Sequence, residues 1–509
     1  MNVGEWVYKR ALTDPDGPFL KESERVDRRY NNRQFNERVN QTAHALMSLG
    51  TVPGDRISVV MLNSSEFLEI YFACAKIGAI MVPVNFRLAV PELAYIFADC
   101  APKVLVYSSD FAEKIAEVKK TEAVIPFIFG LGGNQPGRDA SFSDFVSGQP
   151  DREPAPPRDI EGDDPLVIMY TSGTTGNPKG VMISHTNITF HAIHNLLGYG
   201  VNRTFTSLVT APLFHIGALS AAANPVIYAG GSLVLKRFFN ASEIIKLIAA
   251  EKINYMFAVP VMYQMMAEAA EWETADFSHV RYFIAGGAPI PVPLIRKYQD
   301  EKGIKFAQGY GLTETGRLSS LPIDDSIRKA GSVGKEEFHV IMRIVDGEKN
   351  DVTPGEVGEI IVRGPNVFLG YWNKPEETAK AVRDGWFHTG DMGRKDEEGF
   401  LYIVGRKVEL IISSGENIYP AEVERAIQSV PAVKEAAAVG MPDPRRGQVV
   451  AAFVSLKEGA SLSEQELIDK ISDKIAAFKL PKKVFFVEDF PRNVSGKIVK
   501  TQLKKRFDT

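Results

Sequence analysis

Cysteine is nearly missing from this chain: 509 residues contain two, Cys74 and Cys100. Both lie in apolar helical patterns, which excludes a disulfide-stapled scaffold and predicts buried free thiols in a reducing compartment. Charge of one sign is lacking too. The 59 Lys and Arg residues against 63 Asp and Glu leave a net charge of −4, so no global attraction to nucleic acid or an anionic membrane exists. Uninterrupted hydrophobic runs of membrane-spanning length are also missing. Phe67 to Val84 carries Glu69 and Lys76, and Ala218 to Leu235 is divided by Asn224-Pro225 and Gly230-Gly231. Both read as buried core rather than integral membrane segments. Met1 to Arg10 contains Glu5 and no long apolar stretch, unlike a secretory leader. The expectation is a soluble, cytoplasmic protein whose length calls for two to four lobes.

What the chain has is alternation. Strands are expected at Ile57–Leu62, Ile80–Val84 and Lys103–Tyr107, with helices at Ser64–Gly78, capped by Ser64, and Val90–Cys100. A Pro/Gly/Asp-rich stretch, Gly132 to Pro165, reads as a surface crossing between lobes. Strands at Phe205–Thr210, Ser232–Lys236, Tyr255–Val259 and Arg281–Ala285 then alternate with helices at Ser242–Glu251, Val261–Ala269 and Val292–Lys302. Repeated βα units imply an α/β fold of mostly parallel, helix-covered sheets, whose ligands sit at the carboxyl ends of strands. Beyond residue 330 the pattern turns β-rich, at His339–Val345 and Glu359–Arg363, suggesting a small barrel-like unit. From about Val408 strand, helix, strand, strand, helix and strand make a small α+β unit.

Several loops carry chemistry. Thr171-Ser172-Gly173-Thr174-Thr175-Gly176-Asn177-Pro178-Lys179-Gly180 follows the strand-like run Leu166 to Tyr170. Glycines let backbone N–H groups approach phosphate, hydroxyls donate, and Lys179 supplies charge, which makes a polyphosphate cradle. It is not a Walker loop, because Lys179 is followed by Gly180 rather than Ser or Thr. Gln308-Gly309-Tyr310-Gly311-Leu312-Thr313-Glu314-Thr315, read as a loop after a strand at Lys305–Phe306, sets a ring for stacking beside a carboxylate for Mg²⁺. Ala285-Gly286-Gly287-Ala288-Pro289 is a second glycine turn, suited equally to a flat ligand or a tight βα connection. Trp386-Phe387-His388-Thr389-Gly390-Asp391 offers a carboxylate after a turn, fit for ribose hydroxyls. Arg406 follows a strand, and Lys497 sits on Pro491-Arg492-Asn493-Val494-Ser495-Gly496-Lys497.

In this order and over essentially the whole chain, these motifs resemble the AMP-forming acyl-CoA synthetases, the adenylating family that includes fatty-acyl and aryl-CoA ligases and firefly luciferase. The resemblance implies an N-terminal domain over 1–404, a hinge over 405–409 and a mobile C-terminal domain over 410–509. It assigns Thr171, Ser172, Gly173, Thr174, Thr175 and Lys179 to the β- and γ-phosphates of ATP, Thr313 to the α-phosphate or the nascent acyl adenylate, and Glu314 to Mg²⁺. Gly286, Gly287, Ala288 and Tyr310, with Gly311, frame adenine. Asp391 and Arg406 take the ribose, and Lys497 is the adenylation lysine. His215, in Pro212-Leu213-Phe214-His215, matches a gate beside the acyl site, with a satisfied core histidine as its alternative. In the second half-reaction the C-terminal domain rotates, bringing in Ile411 to Asn417. There Gly415 lets the pantetheine arm of CoA pass.

The chain departs from the family at the hinge, where Val408 replaces the usual Asp or Lys. Where acetate-type members carry a blocking tryptophan, Gly309-Tyr310-Gly311 leaves room for a larger acid, also bordered by Gly309. Medium- or long-chain fatty acids are expected, with aryl, cinnamate-like acids or transfer to a separate carrier protein as alternatives. Arg317 reads as a surface salt-bridge residue, with a second substrate carboxylate as its other reading. No nucleic-acid partner is expected, and a homodimer stays open.

Overall fold

The βα alternation builds two large sheets in the computed structural model, which describes every residue except Val26, 133–138, 172–176, 288–289, 407–410, Tyr419, 492–497, Val499 and 508–509. The nine-stranded sheet runs in the order Lys335–Glu336, Gly316–Leu321, Phe306–Leu312, Tyr282–Ala285, Tyr255–Ala258, Thr206–Val209, Ser232–Leu235, Pro18–Glu22, Arg29–Asn31. Its middle is parallel and its edges are antiparallel. The seven-stranded sheet is ordered Gly370–Tyr371, Lys179–Ser184, Pro165–Thr171, Ile80–Pro83, Arg56–Val60, Val104–Ser108, Phe127–Leu131. Every residue of Ile80–Pro83 and Val104–Ser108 is buried, as helix-covered parallel strands require.

The run over Phe67 to Val84 is a helix, Ser65–Ile77, followed by the strand Ile80–Pro83. Ser64 caps the helix by accepting from the Phe67 amide, and all of its residues are buried. Each of its buried charges has a partner: Glu66 with Arg25 at 2.6 Å, Lys76 with Glu153 at 2.6 Å, and Glu69 with Arg38 at 2.9 Å, although burial still pushes the Glu69 carboxyl up. Among the described residues no helix is long and apolar enough to cross a membrane. Cys74 and Cys100 are buried and free, and burial pushes both thiols up, Cys100 to about 12. The expected crossing from Gly132 to Pro165 holds a short helix, Phe142–Val146, whose Phe142 and Val146 reach the main core.

An antiparallel five-stranded half-barrel follows, from Ile341–Val345, Gly358–Arg363, Val382–Arg383, Trp386–Lys395 and Leu401–Arg406. The last unit pairs the long strands Val433–Asp443 and Gly447–Leu456, with Lys483–Phe486 parallel to the second. Helices Pro420–Gln428 and Glu464–Ile471 pack on this sheet around a separate core that includes Ile418, Val423, Ile427, Val450 and Leu467.

Candidate active site

The phosphate loop spans a β-hairpin rather than a strand-to-helix turn. Thr171 pairs with Lys179 across it, while Ser172, Gly173, Thr174 and Thr175 lie outside the described residues. The strand Gly370–Tyr371 zips onto Lys179–Ser184, and the Trp372 amide donates to the Gly180 carbonyl at 2.7 Å. A Cβ at Gly180 would stand 2.7 Å from Ile168, so only glycine permits this approach. Tyr371 is thereby delivered beneath Lys179, whose Nζ lies 5.2 Å from the ring centre. The same ammonium donates to Glu377 at 2.6 Å, and the Tyr371 hydroxyl donates to Glu314 Oε1 at 2.9 Å. Hydrogen bonds from Lys179 and Lys380 hold the Glu377 carboxyl down at about 2.

Glu314 sits at the tip of a second hairpin. The expected loop after Phe306 is instead a strand continuing to Leu312, paired antiparallel with Gly316–Leu321, and Thr313-Glu314-Thr315 is only its turn. Glycine spacing disguised the strand. A Cβ at Gly311 would fall on the Gly316 carbonyl, so the two strands approach where no side chain fits. Asp391 likewise follows no turn: it lies inside the strand Trp386–Lys395, bent at Gly390 with φ +71°. Register puts Asp391 opposite Arg406. The Tyr310 hydroxyl donates to Asp391 Oδ2 at 2.6 Å, joining the two motifs.

Pairing also aligns Ala258 with Ala285 and Ala285 with Gln308. Val259, Gly286 and Gly309 therefore follow one another along the carboxyl edge. A Cβ at Gly286 would stand 2.7 Å from the Phe257 ring and one at Gly217 3.0 Å from it. Gly287, with φ +78°, turns the chain away; Ala288 lies outside the described residues. Among the described residues no three His, Cys, Asp or Glu side chains gather as a metal cage. Mg²⁺ carried by a polyphosphate needs only one or two carboxylates, and Glu314 is one that fits that demand.

His215 stands at the far side, its ring 4.4 Å from Phe214, which packs edge-on to Phe86 at 5.2 Å. It is not a core histidine: its side chain is 45% exposed, and Nε2 lies 3.3 Å from Glu416 of the C-terminal unit. Arg87 also grips Glu416. Burial pushes the Glu416 carboxyl up, but His215, Arg87 and Lys479 outweigh it and hold the group at about 2. Gly415, with φ +81°, abuts Val259, and a Cβ there would stand 2.6 Å from Val259 Cγ1. Lys479 completes the joint, with Nζ 2.6 Å from Glu92 and 3.0 Å from Glu422.

The fold thus pairs Thr171 with Lys179, links Lys179 to Glu314 through Tyr371, joins Tyr310 to Asp391, and sets Glu416, next to Gly415, against His215. Lys497 and the Lys407-Val408 hinge lie outside the described residues. Tyr371, Glu377, Phe257, Arg87, Glu416 and Lys479 were not singled out by sequence, because each acts through a partner distant in the chain. Only Tyr371 gave a local hint, in an aromatic pair before the Pro375 helix start. Arg317 is a correction: it is buried rather than on the surface, with its side chain 9% exposed and Nε 2.7 Å from Glu337.

A hairpin carrying Lys179, the acidic turn at Glu314 and a carboxyl-edge glycine row thus face a smaller C-terminal unit that docks through Glu416. The AMP-binding enzyme family matches residues 7–372, and the AMP-binding enzyme C-terminal domain matches 422–497. Feruloyl-CoA synthase of an Amycolatopsis species is 36% identical over 99% of both chains. A long-chain-fatty-acid–CoA ligase of Mycobacterium tuberculosis is 38% identical over 99% of this chain and 98% of its own. A solved double mutant of o-succinylbenzoate CoA synthetase from Bacillus subtilis, bound to a product analogue, superposes with a TM-score of 0.88. It is 30% identical, over 99% of this chain and 98% of that one. The chain belongs to the AMP-forming acyl-CoA synthetase family of AMP-binding enzymes, and is an acid–CoA ligase.

Proposed function

We propose that the protein activates an acid larger than acetate as its acyl adenylate and passes the acyl group to CoA. The observation that carries this reading is the Lys179–Tyr371–Glu314 chain, in which the Tyr371 ring lies 5.2 Å from the Lys179 ammonium and its hydroxyl donates to the Glu314 carboxylate. In the first half-reaction a carboxylate oxygen of the acid attacks the α-phosphorus of ATP, and the bond to pyrophosphate breaks. Two anions must meet, so charge and alignment matter more than acid–base chemistry. Thr171, Ser172, Gly173, Thr174, Thr175 and Lys179 hold the β- and γ-phosphates, and Thr313 orients the α-phosphate. Glu314 holds Mg²⁺, which when bound neutralises the triphosphate. Gly286, Gly287, Ala288, Tyr310 and Gly311 frame adenine, Asp391 and Arg406 hold the ribose, and Lys497 bridges carboxylate and α-phosphate.

In the second half-reaction the CoA thiol adds to the acyl carbon, the bond to AMP breaks, and the thiol proton leaves to solvent. The hairpin tip at Gly415, docked beside His215, supports reading the present arrangement as the thioester-forming one. So does the similarity to a product-analogue complex. The exchange of states is a rotation of 410–509 about the 405–409 hinge.

For the acid itself, relatives at 36% and 38% identity point to an aromatic and an alkyl substrate alike. The aryl reading is supported over the fatty-acid one by close packing at the glycines taken to border the acid site: Phe257 fills the space beside Gly217 and Gly286, and Tyr199 and Arg317 fill that beside Gly309. Pyrophosphate release across alkyl, aryl and dicarboxylic acids, with CoA or a holo-carrier protein as acceptor, tests the proposal. Acid-dependent release, lost in Lys497→Ala, is expected; release of ADP, or none, would overturn it.

A further inference from the structure

Beneath the Gly309 edge the interior is charged. Arg317 Cζ lies 3.7 Å from the centre of the Tyr199 ring, and Nε lies 2.7 Å from Glu337 Oε1. Nη1 donates to Asn195 Oδ1 at 3.2 Å, and Nη2 donates to the His194 carbonyl. Tyr199, Asn195 and His194 belong to the helix His185–Tyr199, whereas Arg317 belongs to the strand Gly316–Leu321. The cluster therefore fills the space between helix and sheet.

Glycine makes room for it on both sides. A Cβ at Gly309 would stand 2.8 Å from the Tyr199 hydroxyl and 2.9 Å from Arg317 Cδ. One at Gly198 would stand 2.7 Å from Arg317 Nη2 and 3.2 Å from Glu337 Oε2. With side chains 9% and 3% exposed, Arg317 and Glu337 form a buried, mutually neutralised pair. A second carboxylate on the acid therefore finds no unbalanced charge there.

We propose that the Arg317–Glu337 pair is the closed end of the acid slot and determines its specificity, admitting compact acids and rejecting long unbranched ones. This rests on the reading above that Gly309 borders the acyl site. An alkyl tail running on between helix and sheet must part the two charges, which leaves each buried without its partner, or lie against them with no gain in apolar contact. A ring that ends at Gly309 meets neither cost.

The test compares kcat/KM for pyrophosphate release with cinnamate, hexanoate, dodecanoate and hexadecanoate. For the wild-type protein, hexadecanoate is expected to fall at least about tenfold below hexanoate, the effect of about 1.4 kcal/mol in the transition state. In Arg317→Ala/Glu337→Gln, which opens the end and keeps the pair neutral, the hexadecanoate-to-cinnamate ratio rises at least about tenfold, with KM for ATP as control. Wild-type preference for hexadecanoate over hexanoate overturns the proposal whether or not the variant folds, as does an unchanged ratio in an active variant. No release with any acid would instead bring down the ligase reading, and this inference with it.

Discussion

Glu377 occupies Lys179 in the absence of a stronger anion. Its carboxylate is partly exposed and shared with Lys380, so on the proposed function a triphosphate, with several charges, competes with it for Lys179. Glu377→Gln should therefore lower KM for ATP by about threefold, most clearly at low salt, where exposed charges interact furthest. Lys179→Ala should lower kcat/KM for ATP by about a hundredfold, the usual scale for losing one fixed donor to a developing charge. Steady-state pyrophosphate assays measure both. At this scale the sequence drew attention to Lys179, Glu314 and Asp391, which the fold sets beside a hairpin loop, in a hairpin turn and in a bent strand. It was a poor guide to Arg317, since an arginine beside an acidic turn looks solvated until the fold supplies Glu337 and the Tyr199 ring.

The hairpin Ile411–Ser413 and Glu416–Ile418 turns on two residues with positive φ, Ser414 at 51° and Gly415 at 81°. Such two-residue turns match strand twist and favour glycine. Gly415→Val meets both obstacles, a strained backbone and a side chain driven into Val259. Acyl-adenylate formation in a single turnover should be nearly unchanged, while transfer to CoA should fall at least about tenfold; rapid-quench kinetics separate the steps. Helix limits at this scale were legible where punctuation is strong. Val90–Cys100 and Val292–Lys302 start with a proline in the first turn and end at left-handed residues, Ala101 and Gly303. The strand Phe306–Leu312 was not, because Gly309 and Gly311 remove the alternation that marks a strand, and its partner strand restores the pairing only in three dimensions.

The two parts of the molecule meet through charge as well as apolar contact, Ala476 joining the cluster that holds Leu93 and Phe97. Glu416, held at about 2 when docked beside His215 and Arg87, favours docking in its ionised form. That contribution is whole above its ordinary value of 4.5 and is lost as pH falls from there toward about 2. Small-angle scattering should show the wild-type protein expanding as pH drops from about 6 to about 3, while Glu416→Gln is already expanded and changes little. Lys479→Met should act in the same direction at neutral pH, since Glu92 and Glu422 lose their shared cation. None of this was legible from the sequence. The ordered motifs outline the two parts, but Arg87 and Glu416 are 329 residues apart and no local pattern ties them.

Lys479 and its carboxylates also bear on how such a joint would survive the rotation proposed above. Glu422 travels with Lys479 on the small domain, so the ammonium keeps a counter-ion after separation. Glu92 stays behind, already accepting the Ala89 amide at the start of its own helix at 2.8 Å. Each half retains a local partner when the contact opens. On the rotation proposed above, the joint is a plug and socket whose pins at Lys479 and Glu92 are insulated on both sides, parted and remade in every catalytic cycle while neither half unravels.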